Sequence, residues 1–206
     1  MKQLYFVRHG QTEWNAIARM QGQWNSDLND TGRDQADVNG KFLATQSIEA
    51  MVVSPLDRTR QTAEIINRHL NLDTTFDERI MEWDTGDWSG YLYAEVKEKW
   101  PDDWQALEAD RFNYRGPNCE NYPDMIERSR PFLDDIKRRP EENIAIVSHG
   151  MIGKVMVAEL LGLSPQQTLS MHQDNDVIFR LTMANDAIEA SYFVGGQGPN
   201  PGVGLD

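Results

Sequence analysis

The sequence has a single cysteine, few basic residues and no long apolar run. Cys119 alone cannot form an intrachain disulfide, so a disulfide-stabilised fold is excluded. The first residues contain no apolar stretch long enough for a signal peptide or a membrane-spanning helix, and we expect a cytoplasmic protein. Lysine and arginine number 20 against 33 aspartate and glutamate residues, which leaves a formal net charge of −13. Because this charge opposes binding to nucleic acid and to anionic membranes, neither is a predicted partner.

The order of apolar segments predicts an α/β protein. Short apolar runs alternate with helix-like stretches, which is typical of a mainly parallel sheet covered by helices on both faces. At 206 residues the chain is long enough for one domain with a substantial core. We therefore predict a single three-layer α/β/α domain over residues 1–194, with a cap or insert region at about residues 83–122.

The C-terminal part of the sequence predicts two further strands and a tail. Residues 176–183 and 187–194 are the strands, and Asn185 with Asp186 suits a hairpin-type turn between them. Residues 195–206 are rich in glycine and proline, so this tail is predicted to be loose.

Two of the predicted strands end in a histidine that is followed at once by glycine. These histidines are His9 and His149, which lie 140 positions apart in the sequence. A third apolar run ends at Pro55, and Arg58 follows in the first turn of a predicted helix. Ligands of open α/β sheets bind beyond the carboxyl ends of the strands. We therefore predict that both imidazoles share one crevice with the guanidinium groups of Arg8 and Arg58.

These residue types suit phosphoryl transfer. An unprotonated imidazole nitrogen can attack phosphorus while a hydrogen bond to the other nitrogen fixes the tautomer. Guanidinium groups match the non-bridging phosphate oxygens in a bidentate geometry. Arg8, Arg58 and His149 are predicted to supply this positive field, together with backbone N–H groups at a helix start. The chemistry requires no metal ion, and the sequence predicts neither a metal nor another cofactor.

A proton donor for the leaving oxygen is expected in the segment 79–90, which is rich in Trp, Asp and Gly. Glu82 is the best candidate because its aromatic neighbours are expected to lower its exposure to water. Asp84 and Asp87 remain alternatives.

Four motifs occur in an order that is specific to one family. They are Val7-Arg8-His9-Gly10-Gln11-Thr12-Glu13-Trp14-Asn15 with Gln21-Gly22, Ser54-Pro55-Leu56-Asp57-Arg58-Thr59-Arg60-Gln61-Thr62-Ala63, the segment 82–90, and Val147-Ser148-His149-Gly150. From Tyr5 to about Arg180 the chain resembles the histidine phosphatase superfamily, which includes cofactor-dependent phosphoglycerate mutases and many small phosphatases. In having glycine directly after His149, the chain resembles the mutase-like branch 1 of this superfamily.

The resemblance implies a phosphoglycerate mutase-like fold and a role for each site residue. His9 would be the phosphorylated nucleophile and Glu82 the proton donor. The phosphate would be held by Arg8, Arg58 and His149 with a further contact from Asn15, and Gln21 and Gly22 would line the entrance.

The predicted function is hydrolysis of a small phosphomonoester through a phosphohistidine on His9, without a metal ion. One alternative is a cofactor-dependent phosphoglycerate mutase. Such mutases usually have longer chains and a Tyr-Tyr-Arg-Arg-like stretch that this sequence lacks, which favours hydrolysis. A second alternative is a non-catalytic phosphate-binding module. The predicted partner is a small phosphorylated substrate, and the sequence leaves open which substrate it is and whether the protein forms a homodimer.

The region before residue 122 contains candidates for a further anion site. Arg111, Tyr114 and Arg115 either bind an anionic group of the substrate or form a solvated helix face. The tryptophans of this region are predicted to anchor it to the core. His172 lies in a polar segment and is not assigned to catalysis.

Overall fold

The computed structural model describes residues 1–185 and 187–204. Its strands are Lys2–Arg8 (β1), Ala50–Val53 (β2), Thr74–Phe76 (β3), Asn143–Ser148 (β4), Val177–Ala184 (β5), Ala187–Val194 (β6) and Gln197–Pro201 (β7). Its α-helices are Glu13–Ala16 (α1), Asp30–Ala44 (α2), Asp57–Leu70 (α3), Tyr93–Lys99 (α4), Pro101–Ala109 (α5), Tyr122–Arg138 (α6), Gly150–Leu161 (α7) and Pro165–Ser170 (α8). Two 3-10 helices span Glu78–Ile80 and Gly86–Trp88.

All the strands in the described residues form one sheet, in the order β3-β2-β4-β1-β5-β6-β7. Strands β3, β2, β4 and β1 are parallel, and β5, β6 and β7 continue the sheet in antiparallel pairs. The predicted α/β fold is confirmed, with a mixed sheet in place of a mainly parallel one. The antiparallel half arises because the last strands follow one another through short turns, which leave no room for crossover helices.

Alternating residues of the central strands pack on opposite faces of the sheet. In β1, Leu4 and Phe6 join one core cluster with side chains of α6 and α7. Tyr5 and Val7 join a second cluster with side chains of α2 and α3. Because both faces of β1 are buried, the strand reads as a continuous apolar run in the sequence.

The C-terminal segment differs from its sequence prediction. Residues 197–201 form β7, which pairs with β6, whereas the sequence predicted a loose tail from residue 195. The ladder hydrogen bonds of β6 stabilise this glycine- and proline-rich strand at the sheet edge. The predicted hairpin turn includes Asp186, which lies outside the described residues.

The region 83–122 packs around a small cluster of its own. Trp88 is fully buried there with Met20, Val96 and Cys119. Trp83, Trp100 and Trp104 are partly buried against this cluster, in agreement with the predicted anchoring role of the tryptophans. None of the helices in the described part of the chain combines the length and the apolar character needed to cross a bilayer.

Candidate active site

The two strand-end histidines lie side by side because β1 and β4 are parallel neighbours. Arg8 pairs with Ser148 at the ends of these strands, and the N–H of His9 donates to the Ser148 carbonyl at 3.0 Å. The imidazole centroids of His9 and His149 are 5.3 Å apart, with the rings edge to face. The structure therefore brings together the two residues that the sequence predicted would converge.

His9 is held in one tautomer. Its Nδ1 lies 2.8 Å from the carbonyl oxygen of Gly10, which can only accept, so Nδ1 carries the proton. The lone pair of Nε2 then accepts a hydrogen bond from Nε of Arg58 at 3.3 Å. Burial, followed by the charges of Arg58 and Arg8, holds the pKa of His9 well below its usual 6.5. The ring is therefore neutral at pH 7, with an unprotonated nitrogen beside a guanidinium group.

Arg58 is fixed by the backbone around it. It lies at the second position of α3, is 1% exposed, and donates from its two terminal nitrogens to the carbonyls of Gly22 and Trp24, both at 2.7 Å. Burial is the main cause that lowers the pKa of Arg58, to about 10, so the side chain stays charged at neutral pH. A rigid positive group next to His9 needs little reorganisation when an anion binds.

Arg8 approaches the site from the end of β1. One terminal nitrogen donates to the Gln173 carbonyl at 2.7 Å, whereas the buried Nε has no protein partner among the described residues. A Cβ at position 150 would lie 3.2 Å from this Nε and 3.3 Å from Cζ of Arg8. Gly150 therefore lets the guanidinium group lie against the start of α7.

His149 is fully buried at the N-cap of α7. Its Nε2 is 2.7 Å from the hydroxyl of Ser54, and its Nδ1 has no protein partner among the described residues. Burial, with smaller contributions from Arg58 and His9, lowers the pKa of His149 well below 6.5. The ring of His149 lies against that of His9. Of the two histidines, His9 lines the open volume of the pocket and His149 does not.

Glu82 lies at the N-terminus of α7. Its carboxylate accepts from the N–H groups of Met151 at 3.2 Å, Ile152 at 3.1 Å and Trp83 at 2.9 Å. The sequence predicted that helix N–H groups would serve a bound phosphate, but here two of them orient the carboxyl group. The positive end of the helix is a favourable place for a carboxylate.

The alternative acids lie elsewhere. Asp84 accepts from the N–H of Gly86 at 2.9 Å, and Asp87 accepts from the Asn118 amide at 3.0 Å. Of the three candidates, only Glu82 lines the pocket with His9.

The entrance residues line the same pocket. Asn15 accepts at Oδ1 from the N–H and hydroxyl of Thr12, both at 3.1 Å, which leaves its Nδ2 available as a donor. The buried Oε1 of Gln21 has no protein partner among the described residues. Gly22 has φ +51, and a Cβ there would lie 2.3 Å from Oγ1 of Thr85. We name this cavity of about 370 Å³ the inner pocket. It is lined by Arg8, His9, Asn15, Ala18, Arg19, Met20, Gln21, Gly22, Arg58, Glu82, Trp83, Thr85, Tyr93, Gly150, Met151, Lys154, His172, Gln173 and Asp174.

A second cavity of about 440 Å³ adjoins the inner pocket, and we name it the aromatic cavity. It is lined by Trp83, Tyr93, Trp104, Leu107, Glu108, Arg111, Tyr114, Glu120, Tyr122 and Met125 with Asn121, Met151, Lys154, Leu169 and His172. Five of these residues line both cavities, namely Trp83, Tyr93, Met151, Lys154 and His172. The two spaces therefore share a wall beside Glu82.

The three residues predicted either to bind an anion or to form a solvated helix face, Arg111, Tyr114 and Arg115, have different surroundings in the structure. Arg115 forms an ion pair with Asp124, and the hydroxyl of Tyr114 donates to Asp103. Arg111 is exposed and lines the aromatic cavity.

Cys119 is not activated as a nucleophile. Its thiol is buried and donates to the Thr85 carbonyl at 3.0 Å. Burial is the main cause that raises its pKa to about 12.

Sequence reasoning missed two basic residues of this site. Lys154 lines both cavities, and its spacing of one helical turn from Gly150 in α7 was the available signal. Arg128 of α6 donates to the carbonyls of Arg79 at 2.9 Å and Met81 at 3.0 Å and thereby holds the segment that carries Glu82. Nothing in the sequence pattern connects a mid-helix arginine with that segment.

Comparison with known proteins gives consistent matches over most of the chain. The model of the histidine phosphatase superfamily (branch 1) matches residues 4–193. Phosphoserine phosphatase 1 of Hydrogenobacter thermophilus is 32% identical over 176 residues, which cover 85% of this chain and 83% of that protein. A probable phosphoglycerate mutase of Erwinia tasmaniensis is 39% identical over 168 residues, 79% of this chain and 76% of that protein. The structure of mycobacterial glucosyl-3-phosphoglycerate phosphatase in complex with VO3 matches with a TM-score of 0.82 at 26% identity, over 94% of this chain and 98% of that one.

Proposed function

This chain belongs to branch 1 of the histidine phosphatase superfamily, and on that premise we propose that it hydrolyses a small phosphomonoester through a phosphohistidine on His9. The observation that carries the proposal is that His9 lines the inner pocket with an unprotonated Nε2 beside the guanidinium group of Arg58. Phosphatase names among the relatives, phosphoserine phosphatase 1 included, support the same reaction class.

The first half-reaction transfers the phosphoryl group to His9. Nε2 attacks phosphorus in line with the ester oxygen, a P–N bond forms, and the P–O bond to the leaving alcohol breaks. Glu82, as the carboxylic acid, donates its proton to the departing oxygen. Arg8 and Arg58 stabilise the negative charge on the non-bridging oxygens, and Nδ1–H of His9 keeps its hydrogen bond to the Gly10 carbonyl throughout.

The second half-reaction returns His9 to its starting state. Glu82, now a carboxylate, accepts a proton from water as the water oxygen attacks phosphorus. The P–N bond breaks, the electron pair returns to Nε2, and inorganic phosphate is released. Neither half-reaction requires a metal ion or another cofactor.

Mutase activity is the second candidate, and the 39% identity to a probable phosphoglycerate mutase favours it. A mutase returns the phosphoryl group to a second hydroxyl and must hold a doubly phosphorylated intermediate. The aromatic cavity contains Lys154 and Arg111 as cations, together with the carboxylates of Glu108 and Glu120. This balance of charge is unfavourable for a second phosphate dianion and supports hydrolysis.

A screen of phosphomonoesters with a metal chelator present tests the proposal. The wild type is expected to release inorganic phosphate and to form an acid-labile phosphoenzyme, and His9→Ala is expected to lose both. His69→Ala is the matched control, because His69 of α3 pairs with Asp37 of α2 and does not line the inner pocket. Turnover or labelling that persists in His9→Ala contradicts the assigned nucleophile.

Two assays of the wild-type protein distinguish hydrolysis from transfer of the phosphoryl group to a second hydroxyl. Release of inorganic phosphate and mutase turnover are measured with and without 2,3-bisphosphoglycerate. Hydrolysis is expected to dominate under both conditions, and mutase turnover that far exceeds it would replace the first proposal with the second.

A further inference from the structure

Lys154 is a basic residue on the wall that the inner pocket and the aromatic cavity share. It lies on α7 one turn after Gly150, and its side chain lines both spaces. Glu82 is held against the first turn of the same helix by the N–H groups of Met151 and Ile152. The Lys154 side chain therefore lies on the wall that the two cavities share, on the helix that orients Glu82.

The three arginines of the inner pocket are held by the backbone. Arg8 donates to the Gln173 carbonyl at 2.7 Å, Arg19 to the Gly90 carbonyl at 2.5 Å, and Arg58 to the carbonyls of Gly22 and Trp24. For Lys154 the described residues contain no hydrogen-bond or ion-pair partner. The charge of Glu82 acts on this ammonium group, but without a hydrogen bond or an ion pair its donors remain available to a ligand.

Three carboxylates that line one or the other cavity, those of Glu120, Glu108 and Glu82, are engaged by other donors, and a fourth, that of Asp174 in the inner pocket, acts on the charge of Arg8. Glu120 accepts from Nε of Arg128 at 2.7 Å and from the N–H of Asp84 at 3.0 Å. Glu108 accepts from the indole N–H of Trp104 at 2.8 Å, and both oxygens of Glu82 accept backbone N–H groups. A lysine whose donors remain available beside engaged carboxylates indicates a place for an anion that the protein itself does not supply.

The surroundings of Lys154 make such an anion favourable. Burial is the main cause that lowers the pKa of Lys154; the nearby charge of Glu82 opposes this shift, and the charge of Arg8 adds to it. A bound anion offsets this cost by pairing with the ammonium group in a partly apolar environment. A single ammonium group matches a carboxylate monoanion, whereas a second phosphate dianion would need several cations.

We propose that Lys154 determines substrate specificity by binding a carboxylate on the leaving group of the phosphomonoester. The proposal rests on the proposed function, because it assumes that the phosphate lies against His9, Arg8 and Arg58. With the phosphate there, the ester oxygen lies near Glu82 and the rest of the leaving group extends along α7 towards Lys154. The class of substrate is therefore a phosphorylated hydroxy acid, and the aromatic cavity accommodates the remainder of the molecule.

Two probes that differ in one group test this assignment. 3-Phosphoglycerate and glycerol 3-phosphate have the same phosphate ester and the same neighbouring hydroxyl, but only the first carries a carboxylate. The wild type is expected to prefer 3-phosphoglycerate. Lys154→Met is expected to lower the ratio of the two kcat/KM values about 10- to 100-fold, mainly through a higher KM for 3-phosphoglycerate. Lys154→Arg is expected to restore most of the ratio, and Lys97→Met on the exposed face of α4 is the control.

A binding measurement separates failure of this inference from failure of the proposed function. Calorimetric titration of the His9→Ala protein with each probe gives an affinity ratio that does not depend on turnover. An affinity ratio that is the same with Lys or Met at position 154 would overturn the role of Lys154. Equal losses for both probes would also overturn it, because they would place the ammonium group on the phosphate or on Glu82. Absence of hydrolysis and of phosphoenzyme in the wild type would instead overturn the proposed function.

Discussion

The inner pocket and the aromatic cavity share a wall but are built differently. The inner pocket takes its main groups from strand ends and helix starts, and backbone contacts hold them, as for Arg58 between Gly22 and Trp24. The aromatic cavity is formed mainly by α5, α6 and the connecting segments, where side chains such as Trp104 and Glu108 pair with each other at the surface.

From this difference we expect the inner pocket to determine the rate of the chemical step and the aromatic cavity to determine which leaving groups are accepted. Substitutions in the inner pocket are expected to affect every phosphomonoester, because all substrates present the same phosphate there. Substitutions in the aromatic cavity are expected to change which leaving groups are accepted. A short surface segment can therefore alter specificity without disturbing the groups beside His9.

The largest effect is expected at Arg58. Arg58→Met should lower kcat/KM by about 10³-fold for all substrates, because it removes the guanidinium group that faces Nε2 of His9. Arg58→Lys keeps the charge but loses the fork of donors, and it should recover only part of the rate. Arg60→Lys, two residues further along α3 and exposed, is the control. Circular dichroism checks that each variant folds. A fall in kcat/KM for only some leaving groups would contradict the proposal that the inner pocket serves every substrate alike.

The next effect is expected at Glu82 and depends on the leaving group. Glu82→Gln cannot donate a proton, so kcat for alkyl phosphates should fall about 10²-fold. For p-nitrophenyl phosphate the fall should be much smaller, because its leaving group departs without protonation. Glu78→Gln, exposed in the preceding 3-10 helix, is the control. Equal losses for both ester types would show that Glu82 positions the site and is not its acid.

Acid should lower the free energy of unfolding of the protein through the two buried histidines. His9 and His149 are buried with pKa values below the usual 6.5, so the unfolded chain binds more protons as the pH falls below that value. Their contribution to the free energy of unfolding is present above pH 6.5 and is lost below it, by at most about 1.4 kcal/mol per pH unit for each histidine. Urea unfolding between pH 8 and pH 5 measures this slope. His9→Gln should flatten it, and an unchanged slope would contradict burial of a neutral imidazole.

The smallest effect is expected in the aromatic cavity. Leu107→Trp should fill part of it and lower kcat/KM about 3- to 10-fold for esters of bulky alcohols, with little change for methyl phosphate. Ala109→Trp adds the same side chain at an exposed position of α5 and should alter neither rate. Equal losses for the two esters in Leu107→Trp would remove the distinction between the two regions.

The inner pocket was largely predictable from the sequence because its residues follow local rules. Buried strands appear as apolar runs, and in parallel strands the residues after them meet at one sheet edge, which places His9 beside His149. Glu82 was predicted from its aromatic neighbours, but its orientation comes from N–H groups of α7, which lies about 70 residues later in the sequence. Arg128, which holds the Glu82 segment from α6, has no sequence signal.

Residue types and hydrophobic patterning were enough to predict the α/β class, the meeting of both histidines with Arg8 and Arg58, and the family. Hydrophobic periodicity and residue type carry this information over short distances along the chain. Tertiary contacts set the antiparallel pairing of the predicted C-terminal hairpin with β1, the pairing of residues 197–201 as β7, and the position of Lys154 between two cavities. These features depend on contacts between segments that are far apart in sequence, where packing and hydrogen-bond satisfaction outweigh local preference.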